Sequence, residues 1–211
     1  MDKPTEQPMY KRLNKTKEIC YCKGMELAEK SGSQKIIHQI PPVWNSESEV
    51  LILGTMPSPK SREAGFFYMH PQNRFWKVLP AVFGEELVYP NNWPDREAAI
   101  SERRDFLLRH HIALWDVLAS CQISGAADSS IKNAIPNDFG EILGQSKIRR
   151  VFCTGKTAFS FWKKTCAEKY EEPYQLTVEC LPSTSPANAA WSLEKLIEAY
   201  KVIENIFLYN H

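Results

Sequence analysis

The sequence predicts an α/β fold, a three-layer α/β/α sandwich with a central four-stranded, mainly parallel sheet. Three observations carry this expectation. Four short runs are apolar throughout rather than alternating, as strands buried on both faces are. Segments with apolar spacings of three and four lie between them, as in helices with one buried face. Strand and helix alternate along the chain, the order that builds a parallel sheet with helices on both faces.

The elements follow in order. Residues 1–35 are polar and lysine-rich, with a helix candidate around "TKEICYCKGMELAEK" and then a flexible "SGSQ". They read as an appendage, helical or disordered, to a domain spanning 36–211. "VLILGTM" is the first buried strand, ended by Gly and Pro. Helices are expected over 73–83 and 96–110, a second strand at "IALWDVL" (112–118), and a third at "RRVFCTG" (149–155). A helix over 156–169 and a fourth strand within "YQLTVECLPS" (174–183) follow, and "NAAWSLEKLIEAYKVIENIF" closes the chain as a helix starting near Asn188. In such sheets ligands bind beyond the carboxyl ends of the strands. That rule selects four loops: "GTMPSPKSREAGFFYMHPQNRFW", "ASCQISGAADSS", "TGKTA" and "LPSTSPANA".

Composition narrows the function classes. With 26 Lys and Arg against 25 Asp and Glu the net charge is +1, so any nucleic-acid contact must be local rather than a broad basic field. The six cysteines include no C-x-x-C pair, and the polar start of the chain lacks the apolar core of a signal peptide. An intracellular, soluble protein with reduced thiols is expected, since no apolar run approaches the roughly 20 residues that cross a bilayer. Cys153 and Cys180 are expected as small core residues.

Several chemistries fail on spacing. "TGKTA" ends like a phosphate loop, but the required earlier glycine would fall at Arg150. No G-x-S-x-G elbow accompanies the serines of "LPSTSPANA". His110 and His111 are adjacent at a helix end, so they diverge and cannot share a metal ion in the i, i+4 manner. The cysteines lack the clustering an iron–sulfur centre requires.

Two loops together carry a resemblance. "LILGTMPSPKSREAGFFYMHPQNRFWKVL" and "LPSTSPANAAW" resemble the two active-site motifs of the uracil-DNA glycosylase superfamily. The first is similar to the mismatch-specific branch without a gap, from Gly54 to Trp76. "GTMPSPKS", "ALWDVLASC" and "LPSTSPANA" bring the chain nearer the hypoxanthine-DNA glycosylase family, the sixth branch, over about residues 36–205. Two customary polar groups are replaced: Met56 stands where the mismatch-specific branch has a water-positioning asparagine, and Leu181 where the second motif usually opens with His or Asn.

The resemblance implies a DNA repair glycosylase acting on DNA with deaminated bases, as a monomer, with neither metal nor organic cofactor. The expected reaction is hydrolysis of a flipped-out base, hypoxanthine from deoxyinosine. Excision of uracil or another mispaired pyrimidine is the alternative within the class, and a catalytically silent binding module of the same fold the alternative outside it.

Asn73 is the candidate to position water, through its amide carbonyl. Its residue type equally suits capping a helix, as does His70 followed by Pro71. Tyr68 falls where the superfamily stacks the base, with Phe66 and Phe67 beside it, and all three also suit packing the loop onto the core. Met56, Pro57 and Ser58 would bring backbone to the base, and Asp116 would accept from its N1–H, although an Asp beside a strand end also suits a turn cap or a pair with a cation. Lys60, Ser183, Thr184, Ser185 and Asn188 would grip phosphate, assisted by free N–H groups at the last helix start.

Overall fold

The computed structural model describes residues 34–91, 93–124 and 130–208. The chain runs β1 (Gln34–Ile37), β2 (Val50–Gly54), α1 (Pro59–Ala64), α2 (Phe75–Val82), α3 (Arg96–Arg109), β3 (Ile112–Asp116) and β4 (Leu118–Ile123). It continues through β5 (Lys132–Pro136), α4 (Gly140–Gly144), β6 (Arg150–Thr154), α5 (Lys156–Thr165), α6 (Ala167–Tyr170), β7 (Thr177–Leu181) and α7 (Leu193–Leu208). Most of the 1–35 appendage, with Cys20 and Cys22, lies outside the described residues; Gln34 and Lys35 belong to β1.

The four expected strands form one parallel sheet in the order β3-β2-β6-β7. Successive side chains of a strand face opposite ways, and the two faces bury different partners. Val50, Ile52, Leu114 and Phe152 pack with Phe75, Leu79, Phe106, Leu196 and Tyr200 from α2, α3 and α7. Leu51, Leu53, Ala113 and Val151 pack with Ile142, Trp162 and Tyr170 from α4, α5 and α6. This is the three-layer sandwich. In register, Gly54 lies opposite Asp116, and Thr154 opposite Leu181. Four carboxyl ends therefore stand in a row.

Several details depart from expectation, beginning with α1, a short helix capped by Ser58 inside the stretch expected as a loop. The run 112–118 is not one strand: it divides at Val117, whose N–H donates to Gly54 O at 2.9 Å, and the next residues, expected as a loop, form β4. That strand joins β1 and β5 in a separate antiparallel sheet of order β1-β4-β5. The closing helix starts at Leu193 rather than near Asn188, with Ser192 Oγ accepting from Lys195 N–H at 3.3 Å as an N-cap does. Cys153 is fully buried on β6, but its register partner Cys180 is exposed on β7, so only one of the two is a core residue. No described helix is long and apolar enough to cross a membrane.

Candidate active site

A cavity of about 160 Å³ opens at the carboxyl ends of β2, β3 and β6, on the scale that holds one small aromatic molecule. Met56, Pro57, Ser58, Tyr68, Asn73, Asp116, Ser183, Thr184 and Ser185 all line it, while Lys60 and Asn188 do not. Sequence positions as far apart as 36 and 185 meet there because parallel strands deliver their following loops to one edge of the sheet.

Asp116 forms the polar floor. Its side chain is 5% exposed, and Oδ2 lies 2.9 Å from Nε2 of His38, itself 1% exposed. Among the described residues Oδ1 has no hydrogen-bond partner. Burial pushes the carboxyl above its ordinary range, and the His38 hydrogen bond and charge partly offset this. A side chain on Gly54 would bring its Cβ within 2.2 Å of Asp116 Oδ1 and 2.9 Å of the Tyr68 hydroxyl. Glycine there is what lets both polar groups close on the strand end.

Tyr68 stacks on Phe75 with ring centroids 4.0 Å apart. Its hydroxyl is 2.7 Å from Thr154 Oγ1, which donates its own proton to Leu53 O at 3.2 Å, so Tyr68 donates and Thr154 accepts. Burial first, then the Asp116 charge, holds the phenol well above its usual value and hence protonated. The residue sits at φ 56, a left-handed conformation unusual for a bulky side chain. Asn91 holds it there, with Nδ2 donating to Tyr68 O at 3.1 Å and His70 O at 3.0 Å. Asn91 in turn accepts from Arg103, a buried guanidinium lying over Trp76. Phe66 and Phe67 are buried in the core, although Phe67 also reaches the cavity wall.

Asn73 closes one side of the cavity. Residues 70–73 form a turn, with Asn73 N–H donating to His70 O at 2.8 Å and Pro71 in its second place, a position whose φ suits proline. Helix α2 starts only at Phe75, so His70 and Pro71 do not begin it. Asn73 Oδ1 accepts from Phe75 N–H at 2.9 Å and from Thr184 Oγ1 at 2.9 Å. Both acceptor sites of that oxygen are taken, so the carbonyl expected to orient water is already occupied, and the Nδ2 amide is what remains for a ligand.

The hydroxyl of Thr184, offered to phosphate from sequence, therefore points inward, on a residue 1% exposed. Ser183 Oγ accepts from Ser185 N–H, and Ser185 Oγ from Ala187 N–H. Asn188 Nδ2 donates to Ser183 O at 2.9 Å, tying the loop to itself. Ser58 caps α1 through Ser61 N–H, and Lys60 is exposed and paired with Glu63. Among the described residues no three His, Cys, Asp or Glu side chains gather as a metal would require.

Besides Asn91 and Arg103, which support Tyr68, the sequence did not single out Arg74 or His38. Arg74 clamps the second-motif loop to the first: it donates to Thr184 O, Ser185 O, Asn188 O and Trp191 O. Its place inside "NRFW" is the only signal, and nothing in that string shows where the guanidinium goes. His38 carries no signal, because the strand that delivers it belongs to the unanticipated sheet.

The comparisons agree with this geometry. The family profile of the uracil DNA glycosylase superfamily matches residues 41–205. Two proteins named hypoxanthine DNA glycosylase are similar. That of Methanosarcina barkeri (strain Fusaro / DSM 804) is 31% identical over 149 residues, 70% of this chain and 85% of the relative. That of Methanosarcina acetivorans is 29% identical over 153 residues, 72% and 88% respectively. The solution NMR structure of a candidate uracil DNA glycosylase from Methanosarcina acetivorans superposes with a TM-score of 0.62 at 26% identity, covering 81% of this chain and 99% of that one. With its four-stranded sandwich, its two motif loops around one cavity and a profile match over most of its length, the chain belongs to the uracil DNA glycosylase superfamily.

Proposed function

We propose that this DNA glycosylase hydrolyses the N-glycosidic bond of deoxyinosine in DNA and releases hypoxanthine. The observation that carries the reading is the half-paired carboxylate on the cavity floor, Asp116, whose free Oδ1 suits the N1–H of a deaminated purine. The names of the Methanosarcina relatives support the same base. Uracil presents a similar N–H beside a carbonyl, so ring size must separate the two.

The chemistry asks little of a strong base. As the C1′–N9 bond breaks, its electron pair leaves with hypoxanthine and the sugar gains oxocarbenium character. Water oxygen then bonds to C1′, and a water proton ends on the departed base. Backbone N–H groups at Met56 and Ser58 can stabilise charge gathering on O6. Tyr68, backed by Phe75, offers the base a face. Asn73 Nδ2 can donate to the water oxygen and hold it, leaving a lone pair for attack; such positioning is worth several kcal/mol on its own.

Single-turnover cleavage of oligonucleotides carrying deoxyinosine, uracil or no lesion tests this. Wild type should cut deoxyinosine fastest. Uracil preferred over deoxyinosine would move the assignment to a uracil-type enzyme, and DNA binding without cleavage of any substrate would leave a silent binding module.

A further inference from the structure

Hypoxanthine and guanine present the same O6 and N1–H. They differ on that edge only by the 2-amino group of guanine. A buried carboxylate with both oxygens free would therefore be a better partner for guanine, accepting N1–H with one oxygen and N2–H with the other, as it accepts paired donors from arginine. An enzyme that reads deaminated adenine with a carboxylate must prevent this, because guanine is an ordinary base of DNA.

The pairing of Asp116 is asymmetric in the way that requirement needs. His38 Nε2 occupies Oδ2 at 2.9 Å, and both side chains are almost wholly buried. Oδ1, without a hydrogen-bond partner among the described residues, is the oxygen beside the open face of Gly54, which also lines the cavity. His38 cannot swing away easily, since its ring packs near Phe67 and edge-on to Trp115.

Accordingly, we infer that His38 is a specificity-determining positioning residue: by bonding Oδ2 within a buried aromatic frame it fixes the carboxylate and already engages one oxygen, leaving Oδ1 as the uncontested acceptor for the single N1–H of hypoxanthine, while the paired donors of guanine would have to compete with His38 for Oδ2. The 2-amino group of guanine would lose its water for an acceptor it must share with His38. This rests on the reading of Asp116 as the acceptor for the base.

The test compares cleavage of deoxyinosine and of deoxyguanosine in a G·T mismatch, where flipping is eased. His38→Phe keeps a ring but removes the donor, and it should raise the guanine-to-hypoxanthine rate ratio by about tenfold or more, the discrimination typical of one paired contact. His38→Gln restores an N–H donor and should return the ratio toward wild type. An unchanged ratio in folded His38→Phe, or a ratio in His38→Gln matching that of His38→Phe, overturns the inference. A measurement on wild type covers the case in which His38→Phe does not fold: free guanine should inhibit deoxyinosine cleavage about tenfold more weakly than free hypoxanthine, and equal or stronger inhibition overturns the inference. Wild type unable to cut deoxyinosine would instead refute the function proposed above, and this inference with it.

Discussion

Asn73 has one structural role in hand and a second proposed for it, and the two separate by atom. Its carbonyl caps Phe75 and receives Thr184, while its Nδ2 has no hydrogen-bond partner among the described residues and is the group proposed to hold water. Asn73→Ala should lower stability by about 1–3 kcal/mol through the lost cap and the unpaired Thr184 hydroxyl, and should slow deoxyinosine cleavage by about a hundredfold or more. Thr184→Val removes only the tether. It should cost about 1 kcal/mol and slow cleavage far less, as thermal melts and single-turnover rates would show; equal rate losses would reduce Asn73 to a structural residue. Asp116 makes a different prediction. Because its folded carboxyl titrates above the ordinary value, the folded state binds more protons within that window, and stability falls as pH rises through it. Asp116→Asn removes the penalty, so its melting temperature relative to wild type should climb from acid to neutral pH while deoxyinosine cleavage drops. A difference independent of pH would show that Asp116 does not titrate as its burial demands.

At the scale of elements, the site depends on how two loops are held together. Arg74 stands at the start of α2 and reaches across to carbonyls of the loop between β7 and α7. Those carbonyls are drawn to a cation, which suits the irregular path of residues 183–191 and the late start of the last helix. Lysine has one compact ammonium in place of the fork and cannot reach the same set. Arg74→Lys should cost about 2 kcal/mol and should make residues 183–191 the first to gain hydrogen exchange or protease cleavage, with a raised KM for DNA. Unaltered exchange in that loop would show that the clamp is not what orders it. The loop after β2 is supported in the same manner by Asn91 and Arg103, which hold Tyr68 in its left-handed turn. Neither support was legible, because a lone Arg or Asn in a helix or loop has the same local pattern whether it faces water or buries in a neighbour.

For the whole molecule, charge sets the character of DNA binding. A net charge of +1 leaves only local contacts, and several cations are already engaged: Lys60 with Glu63, and Arg74 with loop carbonyls. Binding should therefore weaken shallowly with salt, with a log–log slope equivalent to about two to four phosphates; a slope near that of a broadly basic protein would require a cationic surface not apparent from composition. By itself the sequence determined the sandwich, its four parallel strands, the main helices between them and the two motif loops that line the cavity. All of these are written in local period, turn residues and short motifs, and a fully apolar run or a Gly-Pro turn has few alternative uses. Tertiary structure alone decided that 118–123 is a strand, that Thr184 faces inward, that Arg74 binds the loops and that His38 holds Asp116. Each of these pairs residues far apart in the chain. Their energies come from partners that burial brings within hydrogen-bond reach, and no local pattern records which partner that will be.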